Sequence, residues 1–333
     1  MNIGAIINNY GELYTPYMGS LVNHLPMGQL ALYQLTGDLE KVIDYSEYFT
    51  RQFRINKVEG KATRSESFES CVGKREQYES CLILVQERIN KDGTEPVIRE
   101  VLNTYPLGMS SGLFHVLIRL AYAVEGANLD KQLEDEVARA LAYYVTAYRE
   151  AGLLKRTVER DQLHIEMNQL ANHARIRSIL NAKPSMCQQM KALYEDEVYC
   201  GNGFVVEGNE EEKITGLITL LLPVFDQSVS IVVLHCITGL HALVNLKPYF
   251  EDFNQAIDIY TTCCITHLLT VEGLTFEKHD HKSSNLNWEK IKEQGAVSRD
   301  VHTIKFTYTC HELDQRYQIE GLMNSALNKI VAQ

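Results

Sequence analysis

The sequence lacks most of the features that assign a function at sight. No apolar stretch reaches the ~20 residues of a membrane-spanning helix. The richest run, 214–222, meets Pro223, and the next, 230–246, carries two histidines and an asparagine. The N-terminus has no basic segment leading into a sustained apolar run, so it does not read as a secretory signal, and a cytoplasmic location is expected. Positive charge is short: 32 Lys and Arg against 43 Asp and Glu give a formal charge of −11. That balance argues against a nucleic-acid binder, which needs clustered cations to neutralise phosphates, and against attraction to an anionic membrane. None of the eight cysteines forms a C-x-x-C pair, and only Cys263 and Cys264 are adjacent. Scattered cysteines in a chain this long read as free, buried thiols rather than a disulfide frame. There is no glycine-rich phosphate loop, no G-x-S-x-G, no strand–helix alternation and no fixed-period repeat. These absences argue against Rossmann and α/β-hydrolase architectures.

What is present is helical periodicity over 333 residues that are 45% hydrophobic and 23% charged, enough for one large domain over 1–333 with a substantial core. After Pro26, the residues Met27, Leu30, Ala31 and Leu35 recur at helical spacing. Gly37 and Asp38 read as a stop followed by a new N-cap, opening a helix over 38–53. Residues 57–70 read as a loop. Helices are expected over 74–89, from Thr94 to near Pro106, over 113–126 after a turn at 108–112, and over 130–152, 214–222, 229–246, 250–269 and 317–331. The polar break at 279–285 puts His279 and His281 at the surface. Two segments read differently. Residues 301–310 (VHTIKFTYTC) have a strand-like composition, and the stretch around Gly201–Gly203 suggests a small hairpin.

Several of the eleven histidines sit inside apolar runs: His24, His115, His235, His241 and His302. A buried imidazole must be hydrogen-bonded or coordinated, because leaving it unpaired costs on the order of 1–3 kcal/mol. Taken singly, each is more often a satisfied core residue. Four or five from separate segments are costly unless they converge, and neutral imidazole is the most common ligand of iron, copper and zinc. No H-E-x-x-H or other ligand spacing marks a site. His235 and His241 are six apart and point to different sides of one helix. Thr238, Gly239 and Ala242 leave room beside His235, which favours it, with His241 as the alternative. Lys305 follows His302 by three residues among apolar neighbours. It either snorkels to solvent or needs a carboxylate, a lowered pKa or covalent modification such as a carbamate.

Four blocks carry a resemblance. NHLPMGQLALYQLTG (23–37), GLFHVLIRLAYAVEG (112–126), LHCITGLHALV (234–244) and DVHTIKFTYTC (300–310) resemble, in order, those of the questin oxidase-like family. The resemblance implies an all-α, multi-helix globular domain with a central buried histidine site and at most a small β-hairpin, so that 301–310 should be helical. It implies a metal-dependent oxygenase, with iron as the expected metal, acting with dioxygen on an aromatic or quinone-like small molecule. It carries the metal site onto His24, His115, His235 (or His241), His302 and Lys305, the last as a carbamylated fifth ligand. Phe114, Tyr33 and Tyr122 are candidates to line the pocket. A reductant such as NADPH fits the chemistry, although no nucleotide motif is visible, and a homodimer is compatible. The rival readings are a zinc hydrolase or lyase using the same histidines, and a non-catalytic helical protein that binds small molecules.

Overall fold

The structure, a computed structural model, describes residues 2–277 and 287–332; His279 and His281 lie outside them. The described residues form helices α1 (Ile3–Leu13), α2 (Leu25–Thr36), α3 (Leu39–Gln52), α4 (Tyr78–Asp92), α5 (Thr94–Thr104), α6 (His115–Leu129) and α7 (Glu134–Thr146). Then come four short helices, α8 (Leu163–Asn172), α9 (Ala174–Asn181), α10 (Met186–Tyr194) and α11 (Glu197–Asn202). The chain ends with α12 (Glu210–Ser228), α13 (Ile231–Asn245), α14 (Phe253–Leu269), α15 (Trp288–Ala296), α16 (Val301–Tyr317) and α17 (Leu322–Val331). The fold is all-α, and no described helix is long and apolar enough to cross a membrane. All eight cysteines are free, and only Cys187 and Cys200 are exposed.

Four helices, α2, α6, α13 and α16, form the centre. Every residue of α13 from Val232 to Val244 is buried, as expected of a helix that is apolar all round. It packs against α6, α12, α14 and α16, and α2 packs against α6 and α16. The four run in the same direction. Their histidine-bearing N-terminal turns meet at one end. Further along, Gln34 of α2 and Tyr308 of α16 both hydrogen-bond Glu125 of α6, and the Tyr308 ring meets His241 of α13.

Local chemistry sets the starts of these helices. Asn23 Oδ1 accepts the Leu25 N–H at 3.0 Å, and Pro26 in the first turn needs no partner for a missing N–H. Gly37, at φ 65°, ends α2, and Asp38 accepts the N–H groups of Glu40 and Lys41 to open α3. Before α6, three consecutive residues hold left-handed backbone: Gly112 (φ 60°), Leu113 (φ 59°) and Phe114 (φ 63°). For the two that are not glycine, this costs roughly 1–2 kcal/mol each.

Residues 301–310 are helical, as the family resemblance implies and their local propensity does not. Asp300 caps the helix by accepting the His302 N–H at 3.0 Å, and Thr303–Cys310 are buried. Burial on several sides overrides an intrinsic preference worth only about 1 kcal/mol across its whole scale. Other expectations change. The stretch at Gly201–Gly203 is not a hairpin: Glu197–Asn202 is helical, and Phe204–Val206 pairs in parallel with Arg156–Val158. The hairpin lies instead at Tyr17–Met18 and Leu21–Val22, turning at Gly19 (φ 61°). Pro223 does not end its helix, since α12 continues through it to Ser228 within a buried environment that holds both flanks. The expected helix over 130–152 ends at Thr146, and the terminal helical region is divided at Gln318 (φ 50°) into α16 and α17.

A buried ion network locks α6 to α7. Glu136 Oε1 accepts from Arg119 Nη2 at 2.7 Å and Nε at 2.9 Å, while Oε2 lies 3.3 Å from Arg139 Nη1; all three side chains are at most 5% exposed. Removing one partner of such a network leaves an uncompensated buried charge. Glu136→Leu is expected to cost about 3–5 kcal/mol in urea unfolding, with an unchanged slope; a loss below about 1 kcal/mol would contradict the network's structural role.

Candidate metal centre

His24, His115, His235 and His302 converge, their candidate ligand atoms all within 4.8 Å of one another. Each sits at or near the start of its helix: His24 caps α2, His115 opens α6, His302 is second in α16, and His235 lies one turn into α13. Every ring is fixed through Nδ1. That of His24 donates to the Val22 carbonyl at 2.6 Å, that of His115 to the Gly112 carbonyl, and that of His235 to the Ile231 carbonyl at 2.7 Å. His302 Nδ1 faces Asp300 Oδ1 at 3.2 Å. A carbonyl oxygen can only accept, so Nδ1 carries the proton in the first three rings and Nε2 keeps its lone pair. His115 Nε2 then stands 2.6 Å from His24 Nε2 and 3.0 Å from His235 Nε2. Lone pairs at such distances repel unless a cation lies between them.

The residues fit a metal on those grounds. Two nitrogens bound to one ion at about 2.0–2.1 Å stand roughly 2.9–3.4 Å apart, close to the spacing seen. Imidazoles whose other nitrogen donates to a carbonyl or carboxylate are the usual form of histidine ligands. His115 and His235 are the deepest of the four, 5% and 1% exposed, while the His302 side chain is 24% exposed. Burial pushes His24, His115 and His235 well below the usual histidine range, and the charge on Lys305 and neighbouring rings adds to it. All four are therefore available as neutral donors at neutral pH.

Lys305 is fully buried, and its amine has no hydrogen-bond partner among the described residues. It does not snorkel. Burial brings its pKa down to about 7, against a smaller upward pull from Asp300, and its charge is felt by all four imidazoles.

The alternative ligand His241 is not in the cluster. Six residues beyond His235, it turns toward the Tyr308 ring (5.7 Å), and its Nε2 lies 3.2 Å from the Asn245 amide nitrogen. Tyr33 and Tyr122 also stand apart, nine and seven residues along their helices from His24 and His115, or about 13 and 10 Å of rise. Phe114 does adjoin the centre, but as packing. Its ring lies against Tyr260 (4.8 Å) and His267 (5.2 Å). The room beside His235 is likewise taken: a Cβ on Gly239 would meet Phe114 and the Tyr260 hydroxyl at 3.0 Å. Gly239 permits close packing rather than leaving a space for substrate.

Two contributors had not been singled out in the sequence. Asp300 orients His302 and is itself held by Thr303 Oγ1 at 3.0 Å and Lys329 Nζ at 2.8 Å. Burial raises its pKa, but hydrogen bonds from His302 and Lys329 outweigh this and hold it well below the carboxylate range. Its signal was the D-x-H spacing, a helix cap two residues before a histidine. His267, four residues beyond Cys263 on α14, is a buried imidazole behind Phe114 with no local motif to mark it.

Among known families, the model of the family described as questin oxidase-like matches residues 21–310. Comparison with curated proteins gives no match.

Asp300→Ala should weaken cobalt or iron binding by about 10- to 100-fold, since His302 loses its orienting acceptor; unchanged affinity in a metal titration would remove Asp300 from the centre. Stability should also depend on pH. Burial lowers His241 to about 3 and His267 to about 4, whereas the unfolded rings titrate near 6.5. Above that value both states are neutral and no stability is lost. As pH falls through it the unfolded state binds protons first, so stability drops by about 1.4 kcal/mol per unit per histidine, down to the folded values. Unfolding curves from pH 7 to 4.5 measure this, and a slope that stays the same in His241→Gln and His267→Gln would refute it.

Proposed function

The chain belongs to the questin oxidase-like family, and on that premise we propose that it is a metal-dependent oxygenase acting on an aromatic or quinone-like small molecule. The observation that carries the reading is the convergence of four imidazoles, each ring tethered through Nδ1, with the Nε2 lone pairs of His24, His115 and His235 facing one another. His24, His115, His235 and His302 would hold the ion. Iron is the preferred metal, because imidazole suits it and zinc has no redox chemistry. When bound, the metal supplies the activation of dioxygen that amino-acid side chains lack.

The protein's part is placement. His115 and His235 lie deepest, and the more exposed His302 marks the side from which substrate would arrive. Lys305 would complete the donor set. Burial lowers the pKa of its amine toward neutrality, which makes the neutral form accessible, and a neutral amine attacks carbon dioxide. The new N–C bond gives a carbamate, one proton is released, and a buried cation becomes an anionic oxygen donor. The zinc-hydrolase alternative is less favoured because the carboxylate found beside the centre among the described residues, Asp300, is engaged through both oxygens by His302, Thr303 and Lys329.

Freshly purified protein is expected to carry iron and to consume dioxygen with a quinone or polyphenol substrate. His115→Gln and His302→Gln should each lower iron content about tenfold or more, with helical circular dichroism preserved. Full metal retention in both variants would mean that the histidines are structural, and zinc with turnover in the absence of dioxygen would favour hydrolysis.

A further inference from the structure

His115 and His235 come from different helices, yet their Nε2 atoms stand 3.0 Å apart. A single side chain of α14, Tyr260, reaches the chain neighbour of each. Its ring lies 4.8 Å from that of Phe114, which immediately precedes His115. Its hydroxyl donates to the carbonyl of Cys236, which immediately follows His235. The third member is Gly239, one turn beyond His235 on α13. A Cβ there would stand 3.0 Å from Phe114 Cβ, from Phe114 Cγ and from the Tyr260 hydroxyl. Phe114 and Tyr260 are both fully buried, so neither has solvent into which to retreat.

Phe114 needs holding. It and Leu113 keep left-handed backbone at φ 63° and 59°, which L side chains adopt only at a cost. Strain of that kind persists where the surroundings over-determine it. The same turn carries the acceptor of His115, since the Gly112 carbonyl takes the Nδ1 proton. If Phe114 turned back toward the ordinary helical region, that carbonyl and the ring bound to it would move together. The seat of Phe114 therefore bears on where His115 Nε2 points. On the other side, Cys236 lies inside α13, so its carbonyl has a helical partner four residues on. The Tyr260 bond is an addition to that helix. What it does is tie the ring that seats Phe114 to the helix that carries His235.

We propose that Tyr260 is a positioning residue for the metal centre, setting the separation of His115 and His235. Its ring seats Phe114, its hydroxyl fixes that ring to α13, and Gly239 leaves the room that both occupy. His267, 5.2 Å from the Phe114 ring, adds a further wall to the seat. The proposal rests on the four histidines holding a metal and not on the reaction that follows. Donors already at ligand spacing bind an ion more tightly, because no ordering remains to be done on binding. Tyr260 would thus act on metal affinity and coordination geometry without touching the ion.

Cobalt(II) titration of metal-free protein tests this through affinity and the visible absorption of the bound ion, with no turnover required. Tyr260→Phe keeps the ring and loses the bond to Cys236, while Gly239→Ala pushes a methyl against Phe114 and the hydroxyl. Each should weaken cobalt binding about tenfold or more, as expected of groups that orient ligands, and shift the absorption bands. The double variant should lose less than the product of the two single losses. Removing the hydroxyl clears one of the atoms that the added methyl meets, so the two changes are coupled. Leu84→Ala, a core truncation in α4 where that helix packs with α5 and α7, should lower stability but leave cobalt affinity and spectrum unchanged. Parent-like cobalt binding in both single variants, losses that multiply in the double variant, or an equal loss in Leu84→Ala overturns the proposal. If Gly239→Ala does not fold, Tyr260→Phe decides alone. If the unaltered protein binds no cobalt, the metal reading fails and the positioning role with it. If it binds cobalt tightly and the variants match it, only the positioning role fails.

Discussion

The structure turns on a repulsion that the fold does not let relax. Nitrogen lone pairs on His24, His115 and His235 face one another at 2.6–3.0 Å, and His302 joins them within the same small volume. Any of these rings could relieve the contact by rotating, except that each is tethered at Nδ1. Three tethers are main-chain carbonyls fixed by secondary structure, and the fourth is a helix-capping carboxylate. Turning a ring would therefore break a buried hydrogen bond as well as expose the lone pair of another group. A cation at the centre removes the repulsion without moving anything, and whatever binds the folded state alone stabilises it. A metal held there would couple its occupancy to the stability of the fold through the same four side chains.

Much of the surrounding architecture serves that placement. Four helices running in one direction bring four N-terminal turns to one point. The left-handed residues Gly112, Leu113 and Phe114 reverse the chain immediately before His115 and put the Gly112 carbonyl against its ring. Strain in two residues that are not glycine persists only where the neighbourhood over-determines it. Here Phe114 is clamped between the Gly239 backbone, Tyr260 and His267. Farther along α6, the Arg119–Glu136–Arg139 network holds the same helix from its other side.

The histidines were legible in the sequence because burial of an imidazole is costly and the apolar runs around them are unambiguous. The helices were legible through their 3.6-residue periodicity, their caps at Asp38 and their stop at Gly37. Residues 301–310 defeated local reading. Thr303, Thr307 and Thr309 look like strand residues, and only tertiary burial, together with the Asp300 cap, makes them helical. Pro223 misled for a related reason, since the proline rule describes an isolated helix and α12 is held along its length by neighbours. The small residues at 238–242 were read as space for substrate, but a glycine signals close approach without saying by what; here it is an aromatic ring. Backbone carbonyl acceptors leave no trace in sequence at all, so the tautomer lock could not be read from it.

His235 and His241 bear on what separates a ligand from a core histidine, because they share a helix, are both almost wholly buried and are both held neutral. Their difference is which nitrogen is engaged. In His235 the backbone occupies Nδ1 and leaves Nε2 aimed at three other rings; in His241 the nitrogen nearest a polar partner is Nε2, 3.2 Å from the Asn245 amide. With its Nε2 lone pair already taken by a donor, His241 satisfies itself and packs on Tyr308 as an aromatic would. Burial alone therefore cannot identify a metal site, and neither can burial with a lowered pKa, which His241 and His267 also have. The discriminating property is an unengaged lone pair held where it has no escape, and in this chain His24, His115 and His235 have it by hydrogen-bond geometry, with His302 placed to share it through Asp300.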